Sequence, residues 1–206
     1  MQSGLGRTNS GGLGDFSATD VIIASAPQHA EYEGQSLEAL AAGWEVTSDA
    51  AATRLLAEEG ETCVVIVFSM SEADVRTVLA HPTTMIGSDG IPAAGSKPHP
   101  RLYGCFARIL GHYVREIGVL DLATAIHRMT GMPASKFGLR ARGIIEPDCY
   151  ADLVVFDPAR IKDRATYETP RQFPEGVWGV FVNGELAARD GRATGRRAGR
   201  ALRRGA

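Results

Sequence analysis

Asp89 sits between glycines in Gly87-Ser88-Asp89-Gly90, where the backbone can turn sharply and leave room for a ligand. A carboxylate so placed can act as a general base or a metal ligand, and it can also simply cap a turn. Spacing alone favours the cap. Ser88 is a turn residue, because the run lacks the GxSxG arrangement that exposes a nucleophilic serine. Further on, Lys97-Pro98-His99-Pro100-Arg101 sets a cation after two prolines. Proline fixes φ and stiffens this loop, so Arg101 can be aimed at a substrate carboxylate, to which a planar guanidinium offers two parallel donors. An arginine snorkelling at a helix start has equal weight.

His29, His81, His99, His112 and His127 include no HxH or HExxH spacing, so no complete metal site is legible. His112 and His127 fall in amphipathic segments and read as half-buried or surface side chains. Cys63, Cys105 and Cys149 are odd in number and widely spaced. They form neither a CxxC pair nor a disulfide framework, which fits a reducing, cytoplasmic setting. Cys63 opens a strand and reads as a small core residue. The three lysines have no Schiff-base context.

The elements that must carry these residues follow from periodicity. Ser36 to Ala42 and Ser48 to Glu59 read as helices, the second closing at Gly60. Val64 to Phe68 is a continuous apolar run, the pattern of a strand buried on both faces of a parallel sheet. Ser71 caps a helix that ends at His81-Pro82, and Thr83 to Gly87 reads as a second strand delivering Asp89 to its carboxyl end. From Arg101, Leu102, Tyr103, Phe106, Ile109, Leu110, Tyr113, Val114 and Ile117 recur at helical spacing and form one wide apolar face. Asp121 to Thr130 and Pro133 to Phe137 are further helical segments. Beyond Gly143 the pattern turns to β: Ala151 to Phe156, Val177 to Val182 and Leu186 to Arg189, the last two joined by Asn183-Gly184, which favours a type I′ hairpin. Strand-helix units followed by a small sheet indicate an α/β protein, in which ligands gather at the carboxyl ends of strands.

Composition bounds the rest. A hydrophobic fraction of 44%, a charged fraction of 22% and a mean hydropathy of -0.08 describe a folded globular chain and exclude wholesale disorder. The longest apolar run is far short of the roughly 20 residues that span a bilayer, so no membrane association is expected. Residues 1–14 hold five Gly but no GxGxxG or GxxxxGK[ST], and read as a flexible start. The last 18 residues hold seven Arg and one Asp, giving a tail of +6 on a remainder of -8. With Gly and Ala interspersed and no aromatics among them, this reads as a solvated terminus rather than a nucleic-acid surface.

Met85-Ile86-Gly87-Ser88-Asp89-Gly90, Pro98-His99-Pro100-Arg101-Leu102-Tyr103-Gly104, Met129-Thr130-Gly131-Met132-Pro133-Ala134 and Ala151-Asp152-Leu153-Val154-Val155-Phe156-Asp157 stand in an order that resembles the N-acyl-D-amino-acid deacylases of the amidohydrolase superfamily. The resemblance runs from about Asp15 to the final arginines. It implies the last strand-helix units of a zinc-dependent (β/α)8 TIM-like barrel over residues 15–140, small β-sandwich strands over 141–190 and a basic tail over 191–206. It also implies that Asp89 handles the proton of the attacking water and of the leaving amine, and that Arg101 holds the α-carboxylate of an N-acyl-D-amino acid. The zinc ligands of that family, an HxH strand, a bridging Cys or similar ligand and two barrel histidines, belong upstream of this segment. None is matched here, so metal ligands are not expected in the chain, and a complementary N-terminal segment or self-association is expected to complete the fold. A non-catalytic remnant or interaction module of the same fold is the alternative.

Overall fold

The computed structural model describes residues 16–92 and 97–202. The glycine-rich start, residues 1–14, lies outside the described residues. The chain divides into two compact units, one holding residues up to 75, 90–102 and 166–171, the other 76–89, 103–165 and 172 onward.

In the first unit, β1 (Val21–Ser25) pairs antiparallel with β2 (Val64–Val67), Val21 opposite Val67 and Ile23 opposite Val65. On its other side β1 bonds to the turn before α1: Ile23 N–H donates to Gln35 C=O at 2.9 Å, and Gly34 N–H donates to Ile23 C=O at 2.8 Å. Helices α1 (Leu37–Gly43) and α2 (Ser48–Glu59) start where an oxygen can accept an orphan amide, Ser36 from Ala39 and Thr47 from Ala50. Their apolar faces close on β1. Ile23, Ala26, Tyr32, Leu40 and Leu55 form one buried cluster, and Val21, Leu37, Ala41 and Ala51 another.

β2 corrects one expectation. Its run of β-branched residues does form a strand, but β1 is its sole strand partner among the described residues and the pairing is antiparallel. Val64, Val65, Val67 and Phe68 stand 38–46% exposed. A continuous apolar run records a demand for cover on both faces, and the elements described here do not supply it.

Helix α3 (Glu72–Ala80) opens with Ser71 Oγ accepting from Asp74 N–H at 3.1 Å, as its sequence implies. The strand expected over Thr83 to Gly87 is absent. Thr84 N–H donates to His81 C=O at 3.1 Å and Ile86 N–H to Arg128 C=O at 3.0 Å. The segment's hydrogen bonds therefore go to a turn and a helix end instead of a neighbouring strand, and Asp89 does not terminate a parallel strand in this chain.

Helix α4 (Arg101–Arg108) continues as a π-helix over Ile109–Glu116, where a single α-helix was expected. Such widened turns arise where a neighbour intrudes on the helical ladder. Here Gly111 lies so close to Ile161 C=O that a Cβ would stand 2.6 Å from it, and the Arg115 guanidinium donates to Ile161 C=O at 2.6 Å and Pro158 C=O at 3.1 Å. Ile109, Leu110 and Tyr113 are buried as the periodicity requires, whereas Phe106 is exposed. Helix α5 (Leu122–Met129) is capped by Asp121, whose carboxylate accepts from Thr124 N–H at 2.9 Å, and α6 (Gly131–Phe137) follows directly.

The second unit's sheet runs β3 (Leu153–Phe156), β4 (Val177–Val182), β5 (Glu185–Arg189), β6 (Arg192–Ala193), all antiparallel. Asn183 and Gly184 both have positive φ, 49° and 85°, the type I′ geometry the dipeptide favours. Asp190-Gly191 repeats it at 46° and 75° and turns the chain into β6. Gly176 marks the tightest approach: at φ 78°, an added Cβ would lie 2.5 Å from Ile161 N and 2.7 Å from Arg160 C. Both are backbone atoms that cannot move aside. Gly176→Ala should therefore lose about 2–4 kcal/mol of stability, from left-handed strain plus overpacking, read as a lowered thermal midpoint by circular dichroism. An unchanged midpoint would show that the loop relaxes freely.

Candidate active site

Asp89 belongs to the second unit and Arg101 to the first.

The segment leading to Asp89 is tied down at three points. Thr84 Oγ1 donates to Val78 C=O at 2.6 Å, Ile86 is buried with its N–H on Arg128 C=O, and Cys105 Sγ from α4 donates to Gly87 C=O at 3.6 Å. Asp89 follows that last anchor by two residues with φ 46°, a left-handed conformation that aspartate tolerates better than most side chains. The residue is exposed. A carboxylate on a fixed, solvent-reaching turn can exchange protons with a small molecule.

Arg128 makes this segment rigid, and nothing in its local sequence signals the role. Its side chain is buried and its guanidinium donates to the carbonyls of Leu79 and Ala80, closing the C-terminus of α3. Its own carbonyl receives Ile86 N–H. One residue of α5 thus fixes both ends of the span 79–86.

In the first unit, Arg101 is the first residue of α4 and half-buried. Its N–H donates to His99 Nδ1 at 3.1 Å. Because a backbone N–H can only donate, Nδ1 is the accepting nitrogen, the ring proton resides on Nε2, and Nε2 donates to Tyr167 Oη at 3.4 Å. Tyr167 also packs edge-on against His99 and Phe68, at centroid distances of 5.2 and 4.7 Å. Pro98 is buried and Lys97 N–H donates to Ala24 C=O at 3.0 Å, so the stiff loop is fastened to the end of β1.

That end of β1 is itself pinned by carboxylates. Glu59 is fully buried and accepts from Gln28 N–H at 3.1 Å and from His29 Nδ1 at 2.8 Å, while Glu33 accepts from Ala26 N–H at 3.1 Å. His29 stacks on Tyr32 at 4.9 Å, and Tyr32 donates to Glu58 at 3.2 Å, whose other oxygen takes Arg54 Nε at 2.7 Å. The Arg54 bond is the main reason the Glu58 carboxyl is held below its usual range. His29 therefore has a structural role in a carboxylate-pinned loop.

The remaining candidates have local roles. His112 pairs with Glu116 one turn on, and His81 Nδ1 bonds Thr83 Oγ1 at 2.9 Å. Cys63 packs against the core cluster of Ile23 and Leu55, and burial pushes its thiol up, away from nucleophilic character. Among the described residues, no group of three or more His, Cys, Asp or Glu could hold a metal ion. No helix among them is long and apolar enough to cross a membrane.

Comparison with known proteins gives these arrangements a family. The N-acyl-D-glutamate deacylase of Alcaligenes xylosoxydans xylosoxydans is 42% identical over 187 residues, 91% of this chain and 37% of that protein. A crystal structure of D-aminoacylase superposes with a TM-score of 0.82 at 43% identity, covering 89% of this chain and 38% of that one. The N-acyl-D-glutamate deacylase of Bordetella bronchiseptica, solved with zinc and a phosphonate mimic of the tetrahedral intermediate, superposes at 0.76 with 40% identity, covering 86% and 37%. The chain thus spans well under half the length of the relatives it matches. Residues 22–188 match the amidohydrolase family, and on that match the chain belongs to it.

Proposed function

We propose that this chain is the C-terminal part of a zinc-dependent deacylase that hydrolyses N-acyl-D-amino acids to a carboxylate and a free D-amino acid. The observation that carries the reading is the 43% identity and TM-score of 0.82 to D-aminoacylase over 89% of the chain; the family match over residues 22–188 takes in both the Gly-Ser-Asp-Gly turn and the His-Pro-Arg loop. In this reading residues 15–140 are the last units of a (β/α)8 barrel and 141–190 belong to a small β-sandwich. The exposed β2 and the strandless segment before Asp89 are places where further barrel strands would pair.

Asp89 takes the proton of the water that attacks the amide carbonyl and returns it to the departing nitrogen as the C–N bond breaks. Arg101, held by His99 and Tyr167, receives the substrate's α-carboxylate through two parallel N–H donors. The described residues do not fit zinc on their own, so its ligands are assigned to the upstream part of the fold. A cytoplasmic setting belongs to the same reading, in keeping with three free cysteines.

The partner of this chain is then a complementary N-terminal segment, or failing that a second copy. Exposed Val64, Val65, Val67, Phe68 and Met70 on and beside β2 leave a sheet edge and an apolar surface uncovered. The isolated chain should self-associate at micromolar concentration, measured by light scattering behind a sizing column, and a monodisperse monomer would contradict this. A non-catalytic remnant is the second reading, favoured by the absence of a metal-holding group among the described residues. Zinc-dependent release of a D-amino acid from its N-acyl derivative, on joining this chain to an upstream segment bearing the ligands, separates the two.

A further inference from the structure

The arginines near the end of the chain have no part in the deacylase reading, yet Arg200 does not simply trail into solvent. Asn183 Nδ2 donates to Ala198 C=O at 2.6 Å and draws the chain back across the β4–β5 turn. The Arg200 guanidinium then lies 4.3 Å from the centre of the Tyr150 ring, and Arg142 lies 4.2 Å from the same ring. Cation–π attraction holds each guanidinium, but it also gathers two like charges around one side chain.

Beside them opens a cavity of about 260 Å³, lined by Arg140, Arg142, Arg200 and Tyr150 and by the apolar Leu139 and Leu202. No carboxylate lines it among the described residues. Beside this group the Asp152 oxygens accept from the Arg142 guanidinium and from Asn183 N–H at 2.8 Å. Partial burial pushes the Asp152 carboxyl up, but those bonds together with the charges of Arg142 and Arg200 hold it below its usual value. Asp152 is thus ionised near neutral pH and pairs directly with Arg142. Three guanidiniums and no carboxylate line the cavity among the described residues, so its wall is positively charged, and the exposed Arg140 and Arg200 present donors built for planar oxyanions.

We infer that this cavity binds an amphiphilic oxyanion, a carboxylate or phosphomonoester head on a short alkyl body. The head sits between Arg140 and Arg200, and the body lies against Leu139 and Leu202. Arg142 is a positioning residue: tied to Asp152 and Asn183 Oδ1, it orders Tyr150, on which Arg200 stacks. The site stands independently of the deacylase reading, since it uses neither Asp89 nor Arg101.

The test is equilibrium dialysis of the full chain against radiolabelled hexanoate and hexyl phosphate, with inorganic phosphate and hexanol as head-only and body-only probes. Saturable binding is expected for either or both amphiphiles, weaker binding for phosphate and none for hexanol; the tighter of the two amphiphiles identifies the head group. Arg140→Gln with Arg200→Gln should weaken binding by about tenfold or more, since each removes charge-assisted hydrogen bonds. Arg192→Gln with Arg196→Gln removes the same charge elsewhere and should change affinity less than about twofold. Should the first pair lose its circular dichroism spectrum, Arg140→Gln alone decides, because that side chain has no stacking role in the fold. Absence of saturable binding, or equal weakening by both pairs, would overturn the site.

Discussion

Asp89→Asn, in zinc-loaded enzyme assembled from this chain and its upstream counterpart, is expected to lower kcat for N-acetyl-D-amino acids by about a thousandfold or more. Asparagine keeps the size and turn-forming habit of aspartate, and it tolerates the left-handed backbone at φ 46°, so the loop tied at Thr84, Ile86 and Gly87 keeps its place. What the amide loses is the proton chemistry: it can neither accept a proton from water nor deliver one to the leaving nitrogen. Bound zinc and KM should therefore stay close to those of the parent while kcat collapses, the pattern of a group that acts in the transition state rather than in binding. Metal analysis beside steady-state kinetics reads both. Full turnover in the Asn variant would remove Asp89 from the reaction.

Arg101→Ala should produce the opposite division. Loss of a paired, charge-assisted contact to the α-carboxylate should raise KM by about 10- to 100-fold, with a smaller change in kcat. Arg101→Lys should recover part of the loss, because an ammonium restores the charge but not the two parallel donors. The effect must vanish for a substrate whose α-carboxylate is replaced by an amide, since neither enzyme then has that contact to lose. An equal penalty on both substrates would mean that Arg101 serves the fold of α4 instead of the substrate.

How much of this was legible in sequence depends on the range of the interaction involved. Capping is local: Ser36, Ser71 and Asp121 start their helices where the sequence places them, and Thr47 caps the helix that begins at Ser48. The Asn183-Gly184 turn is equally local and was equally plain. Tertiary supply was not legible. The Val64 to Phe68 run carries the composition of a strand buried in a parallel sheet, yet pairing and cover depend on elements distant in sequence, and among the described residues its one strand neighbour is antiparallel. The Thr83 to Gly87 segment lacks a strand for the same reason.

The supports of the candidate site were hidden likewise. Arg128 reaches carbonyls 48 and 49 residues away, His99 meets a tyrosine 68 residues on, and Glu59 meets His29 across 30. Each looks locally like an ordinary surface residue of a helix or loop. Asp89 and Arg101 could be singled out because glycine and proline around them constrain the backbone, and the residues that hold those loops have no such markers.

The most direct measurement of the central claim is amine release from an N-acetyl-D-amino acid by three samples: this chain alone, an upstream segment carrying the zinc ligands alone, and the two combined with zinc. Release is expected only from the combination, abolished by a chelator and restored by zinc, with the N-acetyl-L enantiomer turned over far more slowly. Zinc-dependent release by these 206 residues alone would contradict the assignment of the ligands to the upstream part of the fold. A folded, zinc-loaded combination that releases nothing would contradict the assignment of deacylase function.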